Sequence, residues 1–410
     1  MKAVFVEKNL PRMLAVKILR KMWPGIIWSP ISPAHIVEMP DPILPGAHWV
    51  RVRTRQCGVC ASDLSLLQVK VDPAVAPAAL PGNTRFYLGH EVIGEIVELG
   101  PDVSRFTLGD RVVMESRFGG PNCLTQGIQP PCDYCAAGQT RLCENASAGL
   151  GPVGAGGGWG DTYTAHQDEL WPIPDDLNDD QASLVEPMSV ALHGVLRRPP
   201  QPGEKALVIG AGIIGLLTLQ AIKVVEPHAH VTVMARYPHQ IAAAKRLGAD
   251  QVISDLEPYQ AVADVTGGKL YRAPLNRGMI LGGFEVIYDC VGSADTVYNA
   301  LRWARASGAV VMVGIQLGEM KIDLNPIWYQ EVDLIGSNTF GVERWRGREA
   351  HTFELVVEML QEGVLEHRGL ITHRFPLAQI KKAIDTANDK NSGAIKVTID
   401  TREPAADGSG

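Results

Sequence analysis

Clustered cysteines are the first residues of this chain whose types and spacing could do chemistry. Cys123, Cys132, Cys135 and Cys143 form a C-x8-C-x2-C-x7-C pattern among glycines, prolines and aspartates. Four thiolates in such a loop-rich lobe can enclose a tetrahedral structural zinc. Unrelated buried thiols are the alternative, and Cys123 is the least regular member because a long gap follows it.

A second set of possible metal ligands and acid–base groups is spread over three short segments. Its members are Cys60, Ser62 and Asp63 in CGVCASD, His90 and Glu91 in LGHE, and Glu186 in LVEP. One thiolate, one imidazole and one carboxylate would leave zinc an open fourth position, as catalytic sites require. Ser62 follows Cys60 by two residues, so an extended backbone would turn both side chains to the same face. His90 could instead cap the strand that follows it.

Glycines in VIGAGIIG predict a dinucleotide site. Gly210, Gly212 and Gly215 have G-x-G-x-x-G spacing, after a strand-like KALVIG and at the start of a helix-like IIGLLTLQAIKVV. The first glycine allows a tight turn, the second lets a pyrophosphate approach the backbone, and the third permits close helix–strand packing. The alternative is a tight turn without a ligand.

The end of the next predicted strand, in VTVMARYPHQ, bears on cofactor choice. An NAD site would place Asp or Glu there to bind the ribose 2′-hydroxyl. This chain has Ala235, Arg236 and Tyr237 instead. No carboxylate repels a 2′-phosphate, Arg236 can pair with it, and Tyr237 can stack on adenine. The pattern favours NADP over NAD, unless Arg236 is simply solvated.

Composition places the chain among soluble globular proteins. It is 46% hydrophobic and 20% charged, with a net charge of −7. Its length suggests roughly two or three domains. The charge argues against a nucleic-acid partner, no apolar run reaches the roughly 20 residues of a membrane span, and no signal peptide is recognisable. We therefore expect a cytoplasmic protein that binds neither nucleic acid nor a membrane, with Cys57 and Cys290 as packed thiols.

Hydrophobic periodicity indicates which elements position these residues. Residues 1–10 and 47–59 alternate like strands, and residues 88–115 predict further short strands. From about residue 184, strands alternate with helices, which is typical of a parallel sheet with crossover helices. The insertion at 11–35 contains an amphipathic segment that could lie on a membrane surface. We favour a helix that packs on the body of the protein or on a neighbouring subunit.

The chain resembles the zinc-dependent medium-chain alcohol dehydrogenases, especially their sorbitol, threonine and sugar dehydrogenase branch. The resemblance rests on five features in the family's order: GVCASD, LGHE, the cysteine lobe, EPMSVALHG and the glycine motif. The resemblance runs from MKAVFVE to SGAIKVTI. It implies an α/β protein with a GroES-like β-barrel catalytic domain at 1–188 and 340–410, and a structural-zinc lobe at about 116–148. Residues 189–339 would form a Rossmann domain with a doubly wound parallel sheet.

The resemblance also implies a catalytic zinc. Cys60 and His90 would be its ligands, with either Glu186 or Glu91 as the third. The family's lobe usually has C-x2-C-x2-C-x7-C spacing, from which the gap after Cys123 departs.

Further roles follow from the same resemblance. Ser62 would relay the proton of the substrate hydroxyl, and Asp63 would orient the zinc-binding histidine. Val313 and Thr339 would lie along the nicotinamide wall, and Lys396 would meet the pyrophosphate.

These expectations describe an enzyme. It would transfer a hydride between an alcohol (a secondary alcohol, polyol or sugar) and NAD(P), with one catalytic and one structural zinc, as a homodimer or homotetramer. Glu115 and Ser116 hint at a polar substrate, whereas Trp23 and Trp28 of the insertion could add an apolar wall. The alternatives are a non-catalytic NADP-binding protein with a structural zinc, and a zinc-free enoyl or quinone reductase.

Overall fold

The described part of the chain folds into two compact units. The computed structural model describes residues 1–72, 84–115, 122–146, 153–272 and 277–402. The first unit comprises Met1–Glu186 and Leu370–Gly410, and the second Pro187–Gly369. We call them the barrel unit and the Rossmann unit. Ser116 lies outside the described residues.

The described residues form β-strands and α-helices along the whole chain. The strands are β1 (Lys2–Glu7), β2 (Ala34–Glu38), β3 (Trp49–Gly58), β4 (Arg85–Tyr87), β5 (Val92–Leu99), β6 (Arg111–Met114), β7 (Thr162–His166), β8 (Leu170–Pro172), β9 (Lys205–Ile209), β10 (His230–Met234), β11 (Gln251–Ile253), β12 (Lys269–Tyr271), β13 (Met279–Leu281), β14 (Phe284–Asp289), β15 (Ala304–Met312), β16 (Asp333–Gly336), β17 (Val342–Trp345), β18 (Arg348–His351), β19 (Ile371–Pro376) and β20 (Lys396–Asp400). The helices are α1 (Leu10–Leu19), α2 (Ala61–Leu67), α3 (Asp133–Ala136), α4 (Asp179–Ala182), α5 (Val185–Arg197), α6 (Ile213–Val225), α7 (Pro238–Arg246), α8 (Pro258–Thr266), α9 (Ala294–Trp303), α10 (Asn325–Gln330), α11 (Thr352–Gln361) and α12 (Ile380–Asn388).

Strand β3 organises the barrel unit. It belongs to a seven-stranded sheet in the order β19-β20-β3-β5-β6-β8, and β7 also pairs with it. β5 runs antiparallel to β3 with Val92 opposite Cys57, and β20 pairs with the other edge of β3 with Ile399 opposite Cys57. Cys57 is fully buried in the apolar core, as predicted. The end of β3, the start of β5 and the start of β20 therefore lie side by side.

The Rossmann unit contains the parallel sheet that the sequence predicts. Its six strands have the order β11-β10-β9-β14-β15-β16. This is the doubly wound arrangement in which the strand order reverses between the first and fourth strands, here β9 and β14. Dinucleotides bind outside the carboxyl ends of the strands at such a reversal. The strand and helix predicted on either side of the glycine motif are β9 and α6, which confirms that part of the prediction.

The second domain boundary differs from the prediction. The structure divides the chain after Glu186 and Gly369, whereas the resemblance implied divisions after residues 188 and 339. The β17–β18 hairpin and α11 belong to the Rossmann unit. Beyond α11, the amide of Gln220 on α6 donates to the carbonyl of Glu366 at 3.1 Å and accepts from its N–H at 2.6 Å. These paired bonds attach the segment to the Rossmann unit.

The insertion forms a helix that packs on the barrel unit. Met13 and Val16 of α1 are buried in a small apolar cluster with Ile26, Ile27 and Val69. In the part of the chain that the structure describes, no helix is long and apolar enough to cross a membrane.

Candidate metal centres and cofactor site

Four thiols converge in the cysteine lobe. The sulfurs of Cys123, Cys132, Cys135 and Cys143 all lie within 4.8 Å of one another. The Sγ atoms of Cys123 and Cys143 are 3.6 Å apart. Four sulfurs at about 2.3 Å from a zinc would be about 3.8 Å apart, so the spacing fits a tetrahedral site. Cys123 belongs to this set despite the long gap that follows it.

Local hydrogen bonds favour the thiolate form of two of these cysteines, whereas burial raises the pKa of Cys135 and Cys143. Cys132 precedes α3, and Cys135 lies within it. Burial raises the pKa of Cys123, but hydrogen bonds from the Asn145 side chain at 3.2 Å and the Cys132 backbone at 3.4 Å outweigh it and lower the pKa overall. Backbone hydrogen bonds from Cys135 and Glu144 lower the pKa of Cys132 to about 7. The thiolate is the form that binds metal, so this donor set fits zinc.

A second compact cluster lies in the barrel unit. Ligand atoms of Cys60, His90 and Glu91 all lie within 4.8 Å of one another. Cys60 follows the end of β3, whereas His90 and Glu91 immediately precede β5. Because Cys57 of β3 pairs with Val92 of β5, the two segments are brought together. The thiolate, imidazole and carboxylate form a three-ligand donor set that fits a catalytic zinc.

Ser62 and Asp63, in the first turn of α2, lie beside Cys60 and His90. The Ser62 hydroxyl donates to Sγ of Cys60 at 3.1 Å and lies 3.5 Å from Nε2 of His90. Oδ2 of Asp63 is 3.1 Å from Nδ1 of His90, and Oδ1 accepts from the N–H of Gly89 at 3.1 Å. The expected extended backbone at Ser62 is wrong, because α2 begins at Ala61. The helical turn nevertheless places the hydroxyl beside Cys60.

Buried charges dominate this cluster. Burial disfavours the imidazolium of His90, but Asp63 and Cys60 outweigh it and raise its pKa well above the usual value. Burial likewise raises the pKa of Glu186 to about 7, and the nearby carboxylate of Glu91 adds to the effect. The charges of Asp63 and Cys60 thus favour positive charge at the position of His90, which suits a cation site.

The two candidate third ligands occupy different positions. Glu91 belongs to the compact cluster with Cys60 and His90, and Glu186 does not. Glu186 lies at the start of α5 and is 7% exposed. It is close enough for its charge to be coupled to those of His90 and Glu91. Of the two carboxylates, Glu91 is thus the one within the group of residues that could hold a metal.

Lys396 has a different environment from the one expected. Its ammonium forms an ion pair with the Glu91 carboxylate, and both side chains are 1% exposed. Gly58 makes room for this pair, since a Cβ at that position would lie 2.0 Å from Oε2 of Glu91. An ammonium already buried against a carboxylate argues against the expected pyrophosphate contact. Motif spacing could not reveal the pair, because it depends on β20 lying beside β3.

The glycine motif has the geometry of a phosphate-binding turn. Gly210 has a φ of +92°, in the left-handed region that favours glycine. A Cβ on Gly215 would lie 1.8 Å from the Gly210 carbonyl oxygen, so glycine is needed where α6 crosses β9. Gly212 caps the N-terminus of α6, and a Cβ there would meet nothing within 4 Å. The open helix N-terminus suits an anion.

Arg236, which follows the end of β10, forms an ion pair. Ala235 is buried, whereas the Arg236 side chain is 66% exposed. Nε of Arg236 donates to Oδ2 of Asp255 at 2.6 Å. Tyr237 stacks on His239 with ring centroids 5.8 Å apart. Asp255 follows β11, so a carboxylate reaches this site from the neighbouring strand.

The proposed nicotinamide-wall residues follow the next strands of the sheet. Val313 comes directly after β15, and its N–H donates to the carbonyl of Asp289 at 3.0 Å. Thr339 follows β16 with a φ of +54°. Both lie beyond the carboxyl ends of parallel strands, where Gly210 also lies. Their role towards a cofactor stays a prediction.

Comparison with known proteins identifies the family. Residues 46–175 match the alcohol dehydrogenase GroES-like domain, and residues 214–354 match the zinc-binding dehydrogenase domain. The L-idonate 5-dehydrogenase of Vitis vinifera is 30% identical over 359 residues, which cover 87% of this chain and 89% of that protein. The chain belongs to the zinc-dependent medium-chain dehydrogenase family. The sorbitol dehydrogenase of Arabidopsis thaliana is 29% identical, covering 86% and 88% of the two chains.

A solved structure supports the same assignment for this medium-chain dehydrogenase. A protein described as a zinc-binding dehydrogenase from Sinorhizobium meliloti 1021, bound to NADP, is 25% identical with a TM-score of 0.67. The match covers 90% of this chain and 95% of that one. The dehydrogenase is thus an oxidoreductase that uses a nicotinamide cofactor and zinc. The zinc-binding family and the Cys60–His90–Glu91 cluster argue against a non-catalytic binder and a zinc-free reductase.

Two remaining predictions concern residues away from the ligands. Glu115 accepts hydrogen bonds from Nε1 of Trp171 at 3.0 Å and the hydroxyl of Thr140 at 3.2 Å. Glu115 is therefore a buried structural residue, and it does not support a polar substrate. Burial raises the pKa of Cys290 to about 12, and its thiol donates to Thr218 at 3.4 Å. This dehydrogenase therefore holds Cys290 as an unreactive thiol.

Proposed function

We propose that the protein oxidises a polyol or sugar-like alcohol, or reduces the corresponding carbonyl compound, at a zinc bound by Cys60, His90 and Glu91. The compact three-ligand cluster carries the proposal, since its mixed donors leave one zinc position for substrate. The substrate class is supported by the relatives, which are named for sorbitol, L-idonate and L-arabinitol.

The chain's own residues have distinct roles in this scheme. A zinc ion in the cluster supplies Lewis acidity towards the oxygen of the substrate. Ser62 would relay the hydroxyl proton, because its Oγ lies beside two of the ligands and can accept that proton while its own proton passes to solvent. Asp63 holds the proton on Nδ1 of His90 and so leaves Nε2 free to ligate. Lys396 balances the charge of Glu91.

Glu186 acts without touching the metal directly. We propose that it orients a water beside the ligands, since its buried carboxyl group lies within range of the charges of His90 and Glu91. The four thiols of the lobe hold a second, structural zinc, which would bring the total to two per chain.

We infer a preference for NADP from the exposed Arg236. Its guanidinium is available to a 2′-phosphate once it leaves Asp255, and no acidic residue stands at position 235. Arg236→Ala should lower kcat/KM for NADP more than kcat/KM for NAD, by a factor equivalent to about 1–3 kcal/mol. Asp255→Asn should strengthen the NADP preference, because the competing carboxylate is neutralised. A tenfold or greater preference of the unaltered enzyme for NAD would contradict this inference.

The substrate proposal is tested by a panel of simple alcohols, polyols, sugars and sugar acids, assayed with both cofactors by absorbance of the reduced nicotinamide. Polyols or sugar acids should have a higher kcat/KM than simple alcohols. Turnover of simple alcohols alone would contradict the proposed class.

We also propose that the protein is a cytoplasmic homodimer or homotetramer. Light scattering gives the molar mass of the assembly.

A further inference from the structure

Helix α1 has two apolar faces, and the described residues cover only one of them. The inner face buries Met13 and Val16 against the barrel unit. The outer face exposes Leu10, Leu14 and Ile18, with exposed fractions of 53%, 47% and 71%. These three residues are spaced by four, so they form one line along the helix.

The exposed line continues past the end of the helix. Met22 is 82% exposed, and Trp23 is 49% exposed. Soluble proteins seldom expose contiguous large apolar side chains unless another surface covers them. We call the five residues Leu10, Leu14, Ile18, Met22 and Trp23 the outer face of the insertion.

Basic side chains accompany the outer face. Residues 8–37 contain five Lys or Arg residues and no Asp or Glu, in a chain whose net charge is −7. At about 100° per residue, Lys17 lies within about 60° of the line through Leu14. Lys21 follows in the exposed turn. The insertion thus combines an exposed apolar stripe with a half-buried Lys17 along one edge of it and an exposed Lys21 beyond its end.

The positive charge is reinforced by the surface beneath the helix. Arg20 donates to the carbonyl of Gln68 at 2.9 Å, which fixes its guanidinium near Lys70. Partial burial lowers the pKa of Lys70, and the charges of Arg20 and Lys390 lower it further. Cations from three segments of the barrel unit are therefore concentrated beside α1.

We propose that the outer face of the insertion binds the surface of a membrane that contains anionic phospholipids. The apolar stripe would enter the boundary between headgroups and acyl chains, while Lys17 and Lys21 would meet the lipid phosphates. A second copy of the chain suits this surface less well. A two-fold contact would bring the lysines of both copies into one interface, with no acidic residue in the insertion to pair with them.

Membrane binding by the insertion departs from the expectation of a protein without membrane contact. That expectation rested on the whole-chain charge and on the absence of a spanning segment in the sequence. Neither describes a short amphipathic helix, whose binding depends on local charge and exposed apolar area.

Flotation of the full-length enzyme with lipid vesicles tests the proposal. The protein should float with vesicles of phosphatidylglycerol and phosphatidylcholine in equal parts, but not with pure phosphatidylcholine, and high salt should release it. Lys17→Gln with Lys21→Gln should weaken binding by on the order of tenfold. Ile18→Gln with Met22→Gln should also weaken it, at unchanged turnover in solution. Leu256→Gln, at an apolar residue that is 86% exposed elsewhere, is the matched control.

Three outcomes would overturn the proposal. The enzyme could fail to float with the anionic vesicles, or the Leu256 control could lose as much binding as the insertion variants. Ile18→Gln with Met22→Gln could also reduce the molar mass in light scattering without any vesicle binding of the unaltered enzyme, which would assign the outer face to a second copy. Melting curves of each variant exclude misfolding as the cause.

Discussion

The cysteine lobe and the Cys60–His90–Glu91 cluster are both suited to zinc, yet they are built differently. The lobe takes four chemically identical ligands from one stretch of chain, at 123–143. The second cluster takes three different ligands from two strand ends. A full set of four sulfurs closes a zinc site, whereas three ligands leave a position for substrate. The difference separates a site that stabilises the fold from a site that can do chemistry.

Electrostatics separates the two sites further. In the lobe, the backbone N–H of Cys132 and the side-chain amide of Asn145 donate to the sulfur of Cys123. In the second cluster, charges from Asp63, Glu186 and Lys396 surround the ligands. We therefore expect ligand changes in the second cluster to affect turnover first, and those in the lobe to affect stability first.

The largest expected effect on turnover is that of His90→Ala. Removing the imidazole leaves too few ligands, so the variant should lose one zinc per chain and nearly all activity while the lobe keeps its metal. Zinc content and initial rates measure this. His228→Ala, at an exposed histidine, is the control. Retained zinc with normal turnover would place the metal elsewhere.

Ser62→Ala should have the next largest effect. The variant should keep its zinc but slow proton removal by about 10²- to 10⁴-fold, as for a lost acid–base group. Steady-state rates across pH, together with metal analysis, measure this. Ser62→Thr retains a hydroxyl and should recover part of the activity. Unchanged rates in Ser62→Ala would remove the residue from the proton path.

Glu91→Gln and Glu186→Gln sharpen the assignment of the third ligand. Glu91→Gln should weaken zinc binding and leave the Lys396 ammonium buried without its partner, at a cost of about 3–5 kcal/mol in unfolding free energy. Glu186→Gln should keep the zinc and reduce turnover less. Metal content and denaturant melts compare the pair. If Glu186→Gln lost the zinc and Glu91→Gln kept it, Glu186 would be the direct ligand.

Cys135→Ser should have the smallest effect on turnover. The lobe should lose its zinc and the melting temperature should fall, because a structural metal contributes to folding free energy. Molecules that remain folded should keep nearly normal rates. Cys290→Ser, at a partly buried thiol outside both clusters, is the control. An unchanged melting temperature and zinc content would show that the lobe is not a metal site.

Local sequence patterns predicted what depends on neighbours along the chain. The glycine motif placed the turn between β9 and α6, and the pattern of four cysteines pointed to the lobe. Positive φ at Gly89 and Gly210 could also be anticipated, because each glycine stands in a tight turn. The order of motifs was enough to give the family, and with it the two-domain fold.

Contacts across the sheet could not be read from such patterns. The pairing of Lys396 with Glu91 depends on β20 lying beside β3, more than three hundred residues apart in the chain. Asp255 reaches Arg236 only because β11 runs parallel to β10. The choice between Glu91 and Glu186 likewise depends on the pairing of β3 with β5. Each is a long-range contact whose partners carry no local signal.

Stepwise removal of zinc tests whether turnover depends on a metal bound by Cys60, His90 and Glu91. The full-length enzyme is treated with increasing chelator, and zinc content and turnover of a polyol substrate are followed together. The open three-ligand site should release its zinc before the closed four-cysteine lobe. Turnover should therefore fall to background as the first zinc is lost, with the melting temperature largely retained, and added zinc should restore it. Full activity in the zinc-free protein would contradict the account.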